Sequence, residues 1–365
     1  MSSYTSSSRW RIIFVSAVVV AAVGQSGRAP VSRPYVTSTE RLYRGRIELA
    51  CGEARRADVL LLGNSRVQLG LLADDMERYL KVPGIAGRQP RIVNLGLFGG
   101  TPASSLWLWR QAAPPGARHV AKLLVVGVAP LDFTEKSPGR DYELRYLFGV
   151  RDALWLARNE GITDAATLLT YRAFPLYARR TTVENVLARR QQPVLGMPGV
   201  GAGRWWLPLY YRWYQAYRVD PFETRCIEEL LQDAPRRGAR VVLVAIPIDI
   251  ALLRLAAGGP PPPGVGPSGT GTRTVVSKTR TPLALYEAAI RNIVRRTGVP
   301  YFDYLTPRDS PRFQFADSAH LSAAGATKFT REFSQRVSAA LAAEGENGRP
   351  GPSAERLRKA PSTRP

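Results

Sequence analysis

Three short runs of uninterrupted apolar residues do most to limit how this chain can fold. They lie at Asp58 to Gly63, Lys122 to Val128 ("KLLVVGV") and Arg240 to Ile246 ("RVVLVAI"). A strand with one wet face alternates apolar and polar side chains. A run that does not alternate is covered on both faces, as strands of a parallel sheet flanked by helices are. Two shorter candidates, Arg91 to Leu95 ("RIVNL") and Pro300 to Tyr304 ("PYFDY"), bring the expected strands to five.

Helical periodicity fills the intervals. Leu69, Leu72, Met76 and Leu80 mark one face of a segment that follows Ser65. Asp220-Pro221 is a cap and first-turn signal for a helix carrying Ile227, Leu230 and Leu231, with Gly238 past its end. Tyr286, Ile290 and Val294 mark another helix, stopped near Gly298, and Phe329, Phe333, Val337 and Leu341 mark the last. Strand and helix in alternation predict a doubly wound α/β sheet. Two insertions interrupt it: residues 133–218, rich in aromatics ("RWWLPLYYRWYQAYR" at 204–218), and a Pro/Gly loop at 257–274. The polar tail from Glu344 to Pro365 reads as disordered, and no internal repeat is evident.

The N-terminus reads as an export signal. An apolar core, Ile12 to Val23, follows a serine-rich segment bearing Arg9 and Arg11, and small residues allow cleavage after Gly24. An uncleaved membrane anchor over residues 12–23 is the alternative. The expected divisions are therefore residues 1–24 as leader or anchor, 25–343 as one α/β domain with its insertions, and 344–365 as tail. A formal charge of +22 over 365 residues favours anionic surfaces. The arginines are scattered and no nucleic-acid motif accompanies them, so nucleic acid is not an expected partner. With two cysteines (Cys51 and Cys226), two histidines (His119 and His320) and no Cys-x-x-Cys, no metal site or other cofactor is expected. The cysteines carry no pairing information by themselves.

Three segments have a composition that suits chemistry at strand ends. Gly63-Asn64-Ser65-Arg66 closes the first apolar run just before a helix, where a serine projects into the crevice above a helix N-terminus. "RIVNLGLFGGTPASS" (91–105) ends its strand in a turn with Gly96, Gly99 and Gly100, whose N–H groups stand open to a ligand oxygen. "FADSAHLSAAG" (315–325) sets Asp317 three residues before His320, a spacing that lets the carboxylate reach one imidazole nitrogen while the other faces outward. His119 has no acidic neighbour in sequence and reads as a surface residue.

In this order the segments resemble the blocks of the SGNH/GDSL hydrolase superfamily: G-[DN]-S, N-x-G-x-x-G and D-x-x-H. The match covers roughly residues 55–132 and 238–342, and the G-[SN]-S-R form of the first block is similar to that of envelope-associated SGNH-like proteins. The resemblance implies a three-layer α/β/α, flavodoxin-like SGNH fold. It also implies Ser65 as nucleophile, His320 as general base, Asp317 as its orienting acid, and the backbone N–H groups of Ser65 and Gly99 as oxyanion hole. Asn64, Arg66, Asn94, Gly100 and Asp132 are candidates to line the site. Two departures stand out. Asn64 replaces the usual Asp, and the third block reads "GVAPLDF" (127–133), with Leu131 in place of the oxyanion asparagine. The implied activity is an extracytoplasmic esterase or O-acyltransferase acting on an acylated envelope or exopolysaccharide carbohydrate. An inactive accessory protein of a polysaccharide assembly complex is the alternative.

Overall fold

The computed structural model describes residues 38–174 (apart from 86, 136 and 138), 207–260 and 281–347. The expected leader at 12–23, residues 175–206 of the aromatic insertion, residues 261–274 of the Pro/Gly loop and the tail beyond 347 lie outside the described residues. The chain divides into two compact units: one of Leu42–Glu143 with Gly196–Pro365, the other of Met1–Arg41 with Leu144–Leu195. The long first insertion is thus shared, its last part returning to the sheet-bearing unit.

All five expected strands form: β1 (Val59–Leu62), β2 (Ile92–Asn94), β3 (Leu123–Val128), β4 (Arg240–Ala245) and β5 (Tyr301–Asp303). They make one all-parallel sheet in the order β2-β1-β3-β4-β5, a doubly wound order whose reversal lies between β1 and β3. The helices of this unit are α1 (Ser38–Cys51), which begins in the other unit, α2 (Ser65–Gly70), α3 (Ala73–Tyr79) and α4 (Pro102–Ala112). They continue, past the other unit's α5 (Ala153–Asn159) and α6 (Ile162–Ala173), as α7 (Leu207–Gln215), α8 (Pro221–Arg236), α9 (Ile250–Ala256), α10 (Pro282–Thr297) and α11 (Ala323–Asn347).

The continuous apolar strands are covered twice over, as their composition requires. Val59, Leu61, Val125 and Val244 pack in one cluster with Met76 of α3 and Phe329, Phe333 and Val337 of α11. Their alternates Leu60, Leu62, Leu124, Val126 and Leu243 are equally buried, and α4, α8 and α10 pack together on the other side of the sequence pattern. Each such side chain taken out of water contributes about 1.5–3 kcal/mol. At the amino end of β1, Asp58 accepts from both Nη1 and Nη2 of Arg88 (2.6 and 2.8 Å) and from Arg91 N (2.9 Å). Arg88 leads the interactions that hold its carboxyl below the usual range.

Three expectations change in detail. The helix after Ser65 is broken in two, because Leu71 turns extended (φ −113°, ψ 100°). Side chains distant in sequence satisfy the break: Asn94 Nδ2 donates to Val67 O and Leu71 O, and Leu72 N donates to Thr330 Oγ1. Val67 and Leu71 are therefore fully buried, while Leu69 is only half-buried and Leu72 packs against the core from a half-buried position. Helix α11 runs through Glu344 to Asn347, into the segment expected to be tail. Cys51 and Cys226 are free. Among the described residues no helix is long and apolar enough to cross a membrane.

The second unit, over its described residues, carries the helical pair α5 and α6 after two short helical turns. Arg172 of α6 donates to Arg145 O at 2.9 Å, the Arg145 guanidinium lies over the Tyr171 ring (5.1 Å), and Phe148 packs on Trp155 (5.9 Å).

Close packing at the carboxyl edge of the sheet depends on two glycines. A Cβ on Gly63, whose φ is +146°, would lie 2.4 Å from Val67 Cγ2 and 2.5 Å from Gly127 O. One on Gly127 would lie 2.3 Å from the same Val67 methyl. Gly127→Ala is expected to lower stability by about 1–3 kcal/mol in urea denaturation, as overpacked cores do. Val67→Ala in the same chain should return part of that loss, giving a favourable coupling in the double-mutant cycle. Simple additivity would show that the two side chains do not compete for the space.

Candidate active site

Ser65 is the first residue of α2, directly past the carboxyl end of β1 and beside the point where the strand order reverses. Doubly wound sheets place ligands in that crevice. The turn holds because Asn64 caps it, its Oδ1 accepting from Arg66 N at 2.8 Å. Ser65 is half-buried, so its hydroxyl keeps an outlet.

The Asp317–His320 segment reaches the same place from the far end of the chain. The Asp317 carboxylate accepts from two backbone groups, Ala319 N (2.7 Å) and His320 N (2.9 Å), so the loop folds around its own acid. It also accepts from His320 Nδ1 at 2.8 Å through Oδ2 and 3.0 Å through Oδ1. A carboxylate only accepts, so Nδ1 carries the hydrogen and Nε2 is left as the acceptor. Ser65 Oγ donates to Nε2 at 2.8 Å. Burial opposes ionisation of Asp317, but the His320 hydrogen bond and charge and the two N–H donors outweigh it, leaving its pKa below the ordinary carboxylate value. Outside the triad, Ser318 O accepts from Asp249 N (3.1 Å) and Gly325 N donates to Ser322 Oγ (3.1 Å), tying the loop to the segment after β4 and to the start of α11.

The glycine turn after β2 docks on the strand end that precedes Ser65. Leu97 N donates to Gly63 O (2.9 Å), and a Cβ on Gly100 would lie 3.0 Å from that same oxygen. Gly99 adopts φ +67°, which favours glycine. Among the described residues, neither the N–H of Ser65 nor that of Gly99 has a hydrogen-bond partner.

The residues expected to line the site support it instead. Asn94 uses both amide hydrogens on Val67 O and Leu71 O and accepts from Gly96 N (2.8 Å), so it fixes α2 and offers no donor outward. Asn64, Arg66 and Asp132 are each only 6% exposed. Asn64 Nδ2 donates to Asp132 Oδ1 at 2.6 Å, and Asp132 Oδ2 accepts from Ala129 N at 2.8 Å. Burial pushes the Asp132 carboxyl up to about 6, with Arg66, Asn64 and Ala129 restraining it. Leu131 is buried and brings no donor. His119 is exposed, and its Nε2 donates to Ala57 O (2.9 Å).

Arg66 reveals a part of the site that sequence reasoning missed. Burial works against its charge, but Tyr210, Asp132, Tyr214 and Asp317 surround it and hold its pKa above the ordinary value. Tyr210 and Tyr214 come from α7, in the aromatic insertion, where Leu207, Tyr210, Tyr214 and Tyr217 turn inward together. Tyr217 donates to Pro130 O at 2.8 Å, fastening α7 to the segment after β3. The helical spacing of these four residues was the available signal. Their partner was not, since a buried arginine cannot be told from an exposed one in sequence. Among the described residues no group of three or more His, Cys, Asp or Glu could hold a metal.

Asn64→Ala removes both the cap and a donor to Asp132, at an expected cost of about 1–3 kcal/mol. Because the folded pKa of Asp132 lies above the ordinary value of about 3.9, its contribution to stability is intact below about pH 4 and declines as pH rises through about 6. Losing the Asn64 donor pushes that pKa higher still. Urea denaturation at pH 5 and pH 8 should therefore show the larger penalty at pH 8, and an equal penalty would remove Asp132 from the account. As for relatives, no protein-family model matches this sequence, and a search of curated proteins finds no match.

Proposed function

We propose that this chain is an exported SGNH-type serine esterase or O-acyltransferase acting on an acylated carbohydrate of the cell envelope. One observation carries the reading: Ser65 Oγ, His320 Nε2, His320 Nδ1 and Asp317 Oδ2 form one hydrogen-bonded line with both links at 2.8 Å, at the switch point of a parallel sheet. Sequence separation makes this hard to obtain by accident, since Ser65 and His320 are 255 positions apart.

In the proposed reaction Ser65 Oγ attacks the ester carbonyl carbon while its proton passes to His320 Nε2. Asp317 stabilises the resulting imidazolium through Nδ1–H. The carbonyl oxygen takes up negative charge and is met by the N–H groups of Ser65 and Gly99, at the N-terminus of α2. Collapse breaks the bond to the leaving alkoxide, which takes the proton from Nε2 and departs as an alcohol, leaving an acyl-serine. His320 then draws a proton from a water or a sugar hydroxyl as that oxygen attacks the acyl carbon. Collapse then breaks the bond from the acyl carbon to Ser65 Oγ, which recovers the proton from His320 Nε2; with water as the attacking group the result is hydrolysis, with the sugar hydroxyl it is transfer. The charge of +22 supports an anionic polymer as the carrier of the ester.

Leu131 supports a second reading, a protein that keeps the triad but serves a polysaccharide assembly complex without turnover. Losing one oxyanion donor ordinarily costs about 10²–10³ in rate. A fluorophosphonate probe and a short-chain aryl ester separate the two readings. The enzyme reading expects labelling and hydrolysis that vanish in Ser65→Ala and His320→Ala, with Asp317→Asn down about 10⁴-fold. A folded chain that takes no label at Ser65 favours the accessory role. Product mass after incubation with a polysaccharide acceptor then separates transfer from hydrolysis.

A further inference from the structure

The Gly99 N–H can meet an oxyanion only if the turn after β2 keeps one conformation, and paired glycines are the least self-determined backbone there is. Other parts of the chain hold this turn. The Tyr43 hydroxyl donates to Phe98 O at 2.9 Å, and the Tyr142 ring lies 6.0 Å from that of Phe98. Gly139 comes so close that a Cβ there would lie 1.5 Å from Gly99 O.

The strongest restraints are electrostatic and fully buried. Thr101 N donates to Glu143 Oε1 at 3.0 Å, and Ala103 N donates to Glu223 Oε2 at 2.9 Å. Both N–H groups lie at the start of α4, immediately after Gly99-Gly100, and each is shared with the helix's own capping box, Thr101 N donating also to Ser104 Oγ (2.8 Å) and Ala103 N also to Thr101 Oγ1 (3.2 Å). Both glutamates are wholly inaccessible and share one cation: Arg140 Nη1 donates to Glu143 Oε2 (3.2 Å) and Nη2 to Glu223 Oε1 (2.8 Å). The guanidinium also lies over the Phe222 ring at 4.7 Å. Both carboxyl groups share this one guanidinium and lie at the positive end of the α4 dipole. Burial pushes both glutamate pKa values up, and Arg140 opposes it. Apolar residues would fill such a space at lower cost, but they would not bind the N–H groups of Thr101 and Ala103.

We propose that Glu143, Glu223 and Arg140 are positioning residues that fix the glycine turn as an oxyanion hole, acting on the transition state without touching substrate. This rests on the esterase reading. The glutamates reach the turn from opposite directions, Glu143 from the segment after β3 and Glu223 from the first turn of α8, so the turn is clamped by parts of the chain far apart in sequence.

The test uses the full chain, aryl ester hydrolysis and a phenylboronic acid, which forms a tetrahedral adduct on serine and so probes the hole directly. Glu143→Gln and Glu223→Gln are each expected to lower kcat about 10- to 100-fold, the scale of a small misplacement. Boronate affinity should fall by the same factor, with KM held within about twofold. Arg140→Lys, which keeps the charge but loses the two-armed fork, gives a smaller loss along the same line. It also serves if the glutamate variants do not fold. Amide exchange over residues 98–103 should quicken in the variants while that of β3 does not. Variants that melt earlier yet keep the wild-type kcat and boronate affinity overturn the clamp alone. A folded wild type that neither hydrolyses the ester nor labels at Ser65 overturns the esterase reading, and with it the catalytic role of the clamp.

Discussion

The close approach of α2 to the ends of β1 and β3 is the constraint on which the rest of this molecule depends. Gly63 and Gly127 leave a space that Val67 fills, with built Cβ positions of 2.4 and 2.3 Å showing that no larger residue fits without movement. That contact seats α2 on the sheet, and seating α2 sets Ser65 past the strand end. Gly63 O also receives Leu97 N, so the same residue that admits α2 anchors the glycine turn. The two halves of the proposed reaction centre, a hydroxyl and a pair of N–H groups, are thus measured from one strand end.

Around this packing the protein buries two sets of charged side chains. Asp132 with Asn64 and Arg66, and Glu143 with Glu223, are nearly inaccessible groups in two networks, the second completed by the partly exposed Arg140. Buried charge of this kind is weak support for stability but strict about geometry, because every lost partner leaves a polar group without water. Both networks end on backbone or side-chain atoms next to the glycine-bearing turns. The helix α7 closes the first of them with Tyr210 and Tyr214, which makes the aromatic insertion a part of the site's support.

Much of the scaffold was legible from residue patterns alone. The apolar runs within Asp58–Gly63, Lys122–Val128 and Arg240–Ile246 read as doubly covered strands, and the caps at Asp220 and Gly298 marked helix ends where the structure has them. One half of the hydrogen-bonded line was legible because it is local, Asp317 and His320 being three apart in sequence; that Ser65 meets them was an expectation of the resemblance alone. The break at Leu71 was not legible. It is satisfied by Asn94 and Thr330, and nothing near Leu71 in sequence announces them. Asn94, Arg66 and Asp132 were likewise read as candidates to line the site, because polarity is visible in a sequence and the direction a side chain takes is not.

The sequence by itself determined the order of strands and helices, the doubly covered sheet and the residue types at its carboxyl edge. Hydrophobic periodicity, capping and turn chemistry act over a few residues, so they leave a local trace. Only the tertiary structure decided which polar groups meet. The 2.8 Å contact of Ser65 with His320, the pairing of Asn64 with Asp132, and the sharing of Arg140 by Glu143 and Glu223 each join residues whose partners were chosen by chain topology. A hydrogen bond depends on tenths of an ångström across the fold, and that distance has no counterpart in the spacing of residues along the chain.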